Sequence, residues 1–366
     1  MLIKSAEALA VYPRARFRNS RTWNSFVDRH PNGTWWHRQE WIDYSLAYDP
    51  TLVDRSFAIV SEGLSYPQVV GICPALERDG LICMGDDPCA GPLITEHPGL
   101  SGVRRAWCRE TLLDAIRSRL GGMECWWRWN RYPCDYRNTI AAFASAYGMR
   151  FTSFPTAVVS LWGDPSLSAE ARAMTNAVLD AETSLLVRWS AIRSSYRNLI
   201  KQAARDYDIG YGFDNLWANY ESCHRQSATR PRPGDTYLHQ FRWLRNNQAL
   251  VLAAFPKGGT AGAMDTGGRV TSPLSWSAAG SSPAPSTTLS AAFVNVYKDH
   301  AYYASGPSVQ KNLQHALQWA AIQALSDDLR CVSYEVGWLK DDGGISFFKS
   351  GFGGETKFVD MLGGTI

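Results

Sequence analysis

The stretch AAFVNVYKDHAYYASGPSVQKNLQHALQWAAIQALSDDLRCVSYEVGW, residues 291–338, decides the fold. Two runs rich in Val, Phe, Tyr and Ala, 291–297 and 301–305, flank a Lys-Asp turn and read as paired strands. A Gly-Pro-Ser break follows. Residues 312–325 then carry apolar side chains at helical spacing, and 331–336 is a short apolar run between polar flanks, a strand. Strands mixed with helices in this order imply a central sheet with helices on both faces.

Reading outward, a strand at 250–255 precedes this stretch, and helices are expected at 189–207, 216–229 and 237–246. A short helical piece carrying Phe347 and Phe348 follows it, and the chain closes on a strand near 357–359. The first half repeats the order. Helices at 21–29 and 37–47 precede strands at 56–60, 69–76 and 81–85. A helix at 103–120, a strand at 125–129, a helix at 136–147 and a strand at 157–162 complete it. Helices, a three-stranded meander, a helix and a strand are thus written twice, as a repeat of element order. The expected class is α/β, with two tandem domains at 1–164 and 188–366, each a mixed central sheet flanked by helices, joined by a connector at 165–187. Each offers a cleft where neighbouring strands splay, beside the helix after the meander. Residues 258–288, rich in Gly, Ser, Ala, Pro and Thr, form an insertion whose composition favours disorder over a lid.

Composition sets the outer limits. A chain of 366 residues suits two cores rather than one. Its net charge of +3 leaves no global field for nucleic acid, so any basic surface is local. The eight cysteines show neither CxxC pairs nor metal-finger spacing. With no secretory signal read at the start, they fit reduced, buried thiols in a cytoplasmic protein. No run of about 18 apolar residues is present, so no membrane span is expected. Dinucleotide, P-loop, nucleophile-elbow and zincin motifs are all missing, and the seven histidines are dispersed.

Three places carry candidate chemistry. Arg193, Arg197, Lys201 and Arg205 recur at four-residue steps and would form one stripe on a helix. The surrounding stretch, 185–248, holds ten basic and five acidic residues. Such a stripe fits a solvated helix face, but the concentration of charge favours an anionic partner such as a phosphate or a nucleic-acid end. Near it, Thr229 and Arg230 stand at a helix end, where the arginine either clamps an anion or complements the helix dipole. Glu335 interrupts an apolar strand and is either a general base or a member of a structural pair. In ISFFKSGFGGETKF, Lys349 sits among Phe347, Phe348 and Phe352, with Gly351, Gly353 and Gly354 allowing close backbone approach. Phe347 and Phe348 are expected to pack inward and aim the lysine into the cleft.

The ordered set RSSYRNLIKQA, YESCHRQSATR, AYYASGPS, LQWAAIQAL, YEVG and ISFFKSGFGG resembles the Fem-like transferases of the GNAT acyltransferase superfamily across nearly the whole second half. In the first half, GTWWHRQEW and GPLI resemble the same family. The resemblance implies two GNAT-type domains and transfer of an aminoacyl or acyl group to an amine without a metal. It places Lys349 near the 3′ end of an aminoacyl-tRNA donor, and Glu335 stands where the family usually has a strand aspartate; Lys349 and Glu335 are the expected catalytic residues. The family's threonine and arginine after a helix map onto Thr229 and Arg230, and the substrate-binding residues expected are Arg193 and Arg197 of the basic stripe with Thr229, Arg230, Tyr303, Ser305, Phe348 and Trp36. Neither HPGLSGVRRA nor SGPSVQKNLQ matches the loop with which ordinary GNAT enzymes hold the CoA pyrophosphate on a helix N-terminus. The expected donor is therefore aminoacyl-tRNA, the acceptor an amine on a small molecule or cell-wall precursor, and no separate cofactor is called for. The alternatives are an acyl-CoA-dependent N-acyltransferase acting on an amino sugar or other small amine, and a non-catalytic binding protein on the same fold.

Overall fold

The computed structural model describes residues 8–62, 67–84, 87–95, 101–130, 137–161, 181–228, 232–257, 288–327, 329–339 and 343–366, without the side chains of 137–138 and 181–185. The insertion at 258–288 lies almost wholly outside the described residues, as do Thr229, Arg230 and most of the connector. The chain divides into two compact units, Met1–Phe154 with Phe358–Ile366, and Pro155–Lys357.

Unit 1 begins with β1 (Leu9–Pro13), α1 (Thr22–Arg29) and α2 (Gln39–Tyr48). Strands β2 (Val53–Asp54), β3 (Phe57–Ser61), β4 (Gln68–Cys73), β5 (Leu76–Arg78), β6 (Leu81–Ile82), β7 (Cys89–Ala90) and β8 (Leu93–Ile94) follow. Then come α3 (Gly102–Leu120), β9 (Glu124–Asn130), α4 (Arg137–Tyr147) and β10 (Arg150–Ser160). The order β1-β3-β4-β8 forms an antiparallel sheet on which α1 and α3 pack. A second, mixed sheet runs β2-β5-β6-β9, with β7 also parallel to β9. The expected third meander strand is therefore split off. Pro74 ends β4, and the β5–β6 hairpin joins the second sheet, because proline cannot donate to a continuing ladder. The core beside β9 is aromatic: Trp129 stacks on Phe143 at 6.2 Å between ring centres. The seven described cysteines are all buried free thiols.

Unit 2 holds α5 (Ala181–Ala191), α6 (Ser194–Asp206), β11 (Tyr207–Gly212), α7 (Trp217–Ser227), α8 (Gly234–Arg245) and β12 (Ala249–Pro256). It continues with β13 (Ser290–Tyr297), β14 (His300–Ser305), α9 (Leu313–Asp327), β15 (Ser333–Trp338) and α10 (Gly344–Ser350), and β16 (Glu355–Thr365) ends the chain. Strand β11 was not legible: YDIGYG carries two glycines and an aspartate, all poor strand formers, and becomes a strand by pairing along its length with β12. The sheet order is β11-β12-β13-β14-β15-β10. Its strands are covered on both faces, which is why 249–255 is one unbroken apolar run. Helices α6 and α9 cover one face, where Ile200, Leu252, Val294 and Trp319 belong to one buried cluster. Helices α7 and α8 cover the other, with Tyr220 5.1 Å from Phe293.

Two boundaries differ from the reading of the sequence. The helix expected at 189–207 is two helices, broken at Arg193, which has the extended backbone of φ −50°, ψ 135° and stands at the start of α6. The four cations therefore do not share one helix. The domain limits differ as well. Residues 156–160 of β10 pair with β15 in unit 2, and residues 359–365 of β16 pair with β9 in unit 1. Each unit is closed by a strand that the linear order assigns to the other half.

Candidate active site

All pairs in the unit 2 sheet are antiparallel except β14 with β15. That parallel ladder lasts three residues, from His300 opposite Ser333 to Tyr302 opposite Glu335. Beyond it, Tyr303 and Ser305 register with Val294 and Phe293 of β13, while Gly337 and Trp338 register with Ala157 and Thr156 of β10. The two central strands have parted. Their separation leaves a notch in the sheet, and Glu335 marks the point where it opens.

Glu335 is 5% exposed, and its Oε1 accepts a 2.8 Å hydrogen bond from the hydroxyl of Thr156, which is fully buried. The β10–β15 register shifts between Ala157 and Val158, so Val336 is the extra residue of a bulge directly after Glu335. Bulges re-aim side chains and end regular pairing, which suits the edge of a cleft.

Lys349 lies on α10. Its ammonium donates to the carbonyl of Trp338 at 2.9 Å. It passes over Gly337, whose φ of +108° is in the region that disfavours other residues, and a Cβ there would stand 3.1 Å from the Lys349 Nζ. Helix α10 is itself tied to α6. The Arg193 amide donates to the Gly351 carbonyl at 2.9 Å, and the Arg193 guanidinium and the Tyr196 hydroxyl both donate to the Phe347 carbonyl at 3.1 Å. Gly351 is required for this fit, since a Cβ would fall 2.0 Å from the Tyr196 ring.

Behind the lysine, Tyr196, His315, Phe348 and Phe352 pack edge to face and tilted, with His315 4.3 Å from Tyr196 and 5.1 Å from Phe348. Burial lowers the pKa of His315, with the Asn312 carbonyl opposing it, and raises that of the Tyr196 phenol. Phe348 packs on the buried cluster as expected, but Phe347 is 57% exposed and lies under the Arg193 guanidinium. Consecutive helical residues point about 100° apart, so the pair cannot both face inward on so short a helix.

The remaining expected residues divide. Arg197 is half-buried and donates to the Ser190 carbonyl at 3.2 Å. The Tyr303 hydroxyl donates to Gln314 of α9 at 3.3 Å, and burial raises its pKa. Ser305 is half-buried at the end of β14. Trp36 belongs to unit 1, where the Arg128 guanidinium lies 3.8 Å over its ring. The sequence reading missed Thr156, Tyr196, His315 and Gly337. Tyr196 stood in plain view in RSSYRNLIKQA, whereas the other three become neighbours of the site only through pairing and packing.

The loop entering α9 is built differently from a phosphate cradle. Pro307 has no N–H, and the amides of Val309 and Gln310 both donate to the Leu289 carbonyl, at 2.9 and 3.0 Å. Those donors are consumed internally.

Mixed sheets flanked by helices, with a splayed parallel pair in unit 2, define a tandem GNAT-like α/β protein. The structure of FemX is similar over 92% of this chain and 94% of that one, with a TM-score of 0.57 at 10% identity. L-PGS from Bacillus licheniformis is similar over 94% and 90%, with a TM-score of 0.50 at 10% identity. A tandem GNAT protein from the clavulanic acid biosynthesis pathway aligns over 98% of both chains, with a TM-score of 0.48 at 13% identity. No family model matches the chain, and no curated protein matches it. Among the described residues, no helix is long and apolar enough to cross a membrane.

Proposed function

We propose that this protein is a Fem-like aminoacyltransferase, moving an aminoacyl group from the 3′ end of an aminoacyl-tRNA to an amine of a small-molecule or cell-wall-precursor acceptor. The observation that carries this reading is the notch between β14 and β15, with Glu335 where it opens and the Lys349 ammonium fixed on the Trp338 carbonyl. In the reaction, the acceptor amine attacks the ester carbonyl, an amide bond forms, and the ester C–O bond breaks to release the 3′ hydroxyl. Lys349 stabilises the negative charge that develops on the carbonyl or leaving oxygen. Glu335 takes the proton that the attacking amine loses and returns it to the leaving 3′ oxygen, which departs as the hydroxyl.

The aminoacyl-tRNA donor is favoured over acyl-CoA because the Val309 and Gln310 amides are already bonded to Leu289. The sequence there, SGPSVQKNLQ, also lacks the loop pattern with which ordinary GNAT enzymes hold the CoA pyrophosphate. Arg197 remains the candidate contact to the donor's phosphates. The test offers the full chain either a radiolabelled mixed aminoacyl-tRNA pool or radiolabelled acetyl-CoA, with a mixture of amino sugars and lysine-bearing peptides as acceptors. Base-stable label from the tRNA pool is the expected result. Label from acetyl-CoA alone replaces the donor, and label from neither leaves a binding protein.

A further inference from the structure

We infer that unit 1 also binds a free α-amino acid with an apolar side chain, in a cavity over the outer strands of its antiparallel sheet. The cavity, about 290 Å³, lies where the chain leaves β1, makes a turn of 3-10 helix at Arg14–Phe17 and enters α1. Its floor is apolar. Val60 and Val69 stand opposite each other in the β3–β4 ladder and share one face of the sheet. By the two-residue alternation of paired strands, Tyr12 of β1 projects from that same face. Phe17 joins the two valines, and all three are buried.

The rim carries one cation and one anion, Arg16 and Glu62, both exposed. Tyr12 stands between them. Its hydroxyl donates to the Glu62 Oε1, and the Arg16 guanidinium lies 3.8 Å over its ring. Among the described residues neither charge has an ion-pair partner, and the two do not pair with each other. Arg14, two residues before Arg16, is the contrast: it is fully buried and held by Asp43 at 2.9 Å and Asp54 at 2.8 Å. A guanidinium stacked on a ring keeps its N–H edge for a planar carboxylate. Glu62 keeps its second oxygen for an ammonium. The Ser20 hydroxyl accepts from the Thr22 amide at 3.1 Å and donates to the Thr22 hydroxyl at 2.9 Å, so the Thr22 hydrogen is left to donate into the cavity. Opposite charges held apart by one phenol ring above an apolar floor match a zwitterion. Its carboxylate meets Arg16, its ammonium meets Glu62, and its side chain goes down onto Phe17, Val60 and Val69. The volume is just under the roughly 300–1,000 Å³ of drug-sized sites, which suits a ligand as small as an amino acid.

The measurement needs no acyl donor, so its outcome is separate from the reaction proposed above. The full chain is titrated by calorimetry with L-valine, L-leucine, L-methionine and L-phenylalanine in turn, and with the analogue of each that lacks the amino group or the carboxylate. Saturable binding of at least one amino acid is expected, with both of its analogues at least about tenfold weaker, since each drops one hydrogen-bonded charge. Arg16→Gln and Glu62→Gln are each expected to weaken binding by at least about tenfold as well. Both positions are exposed, and glutamine at 62 still accepts from the Tyr12 hydroxyl, so the variants keep their fold. Arg18→Gln, also exposed and outside the cavity, is expected to bind like the parent. No saturable binding of any of the four, or equal binding by the parent and both cavity variants, overturns the site. An analogue with a single charge that binds as well as its amino acid also overturns it, and assigns the cavity to a simple carboxylate or amine instead.

Discussion

The guanidinium of Arg193 lies 3.6 Å above the ring of Phe347 and donates to the carbonyl of that same residue at 3.1 Å. An arginine that reads from the sequence as a phosphate ligand is thereby engaged in holding α10, the helix that carries Lys349. Arg193→Ala is expected to lower kcat by about 10- to 100-fold, because a displaced catalytic group loses its alignment, with a smaller change in KM. Arg193→Lys should recover little, since a point charge replaces neither the fork nor the stack. A predominant rise in KM that disappears at high salt would instead return Arg193 to substrate binding.

Lys349→Ala is expected to fold normally and lose about 100- to 1,000-fold in turnover, the usual effect of removing one preorganised donor. Lys349→Arg should restore little, because a planar fork does not reproduce the point charge of an ammonium. Lys357, paired with Glu355 at 2.7 Å, is the control expected to tolerate alanine. Steady-state turnover with the labelled donor decides the matter.

Glu335→Gln keeps an acceptor for the Thr156 hydroxyl but removes the base. Thermal unfolding should change little, while the rate falls by about 100- to 10,000-fold. Thr156→Val, which leaves the carboxylate without that donor, tests the converse. Its cost is expected in stability, about 1–3 kcal/mol for the loss of a hydrogen bond to a buried charged group.

His224 sits in a buried position between α7 and α8, with its Nδ1 2.9 Å from the Tyr237 hydroxyl. Burial first, then Arg232 and Arg225, holds its pKa down to about 4 from 6.5. The unfolded chain therefore binds a proton at this site across that window and the folded chain does not, so stability is complete above pH 6.5 and declines as pH falls toward 4. Melting temperatures across this range should show the slope, and His224→Asn should flatten it.

Because β15 needs residues 156–160 and β9 needs residues 359–365, neither half should fold alone when cut at the linear boundary. Fragments 1–164 and 188–366, expressed separately, are expected to be insoluble or molten. Sharp, independent melting of either fragment would show that the exchanged strand is dispensable.

The sequence by itself determined the class and most of the elements. Alternating and helical apolar spacing is a local property, and it survives in 291–338, where the strands, α9 and β15 all lie close to where the pattern puts them. It also marked Lys349 and Glu335, because a charge inside an apolar run is visible without coordinates. Tertiary structure alone decided which strands close which unit, since β10 and β16 are recruited by free ladder edges distant in the chain. It alone decided the roles within the basic stretch as well. Arg193 and Arg197 look equivalent in a four-residue repeat, but a break in the helix turns one toward Phe347 and leaves the other bonded to Ser190. Charge and spacing are written in the sequence, whereas the partner that uses up a charge is fixed only when distant segments pack together.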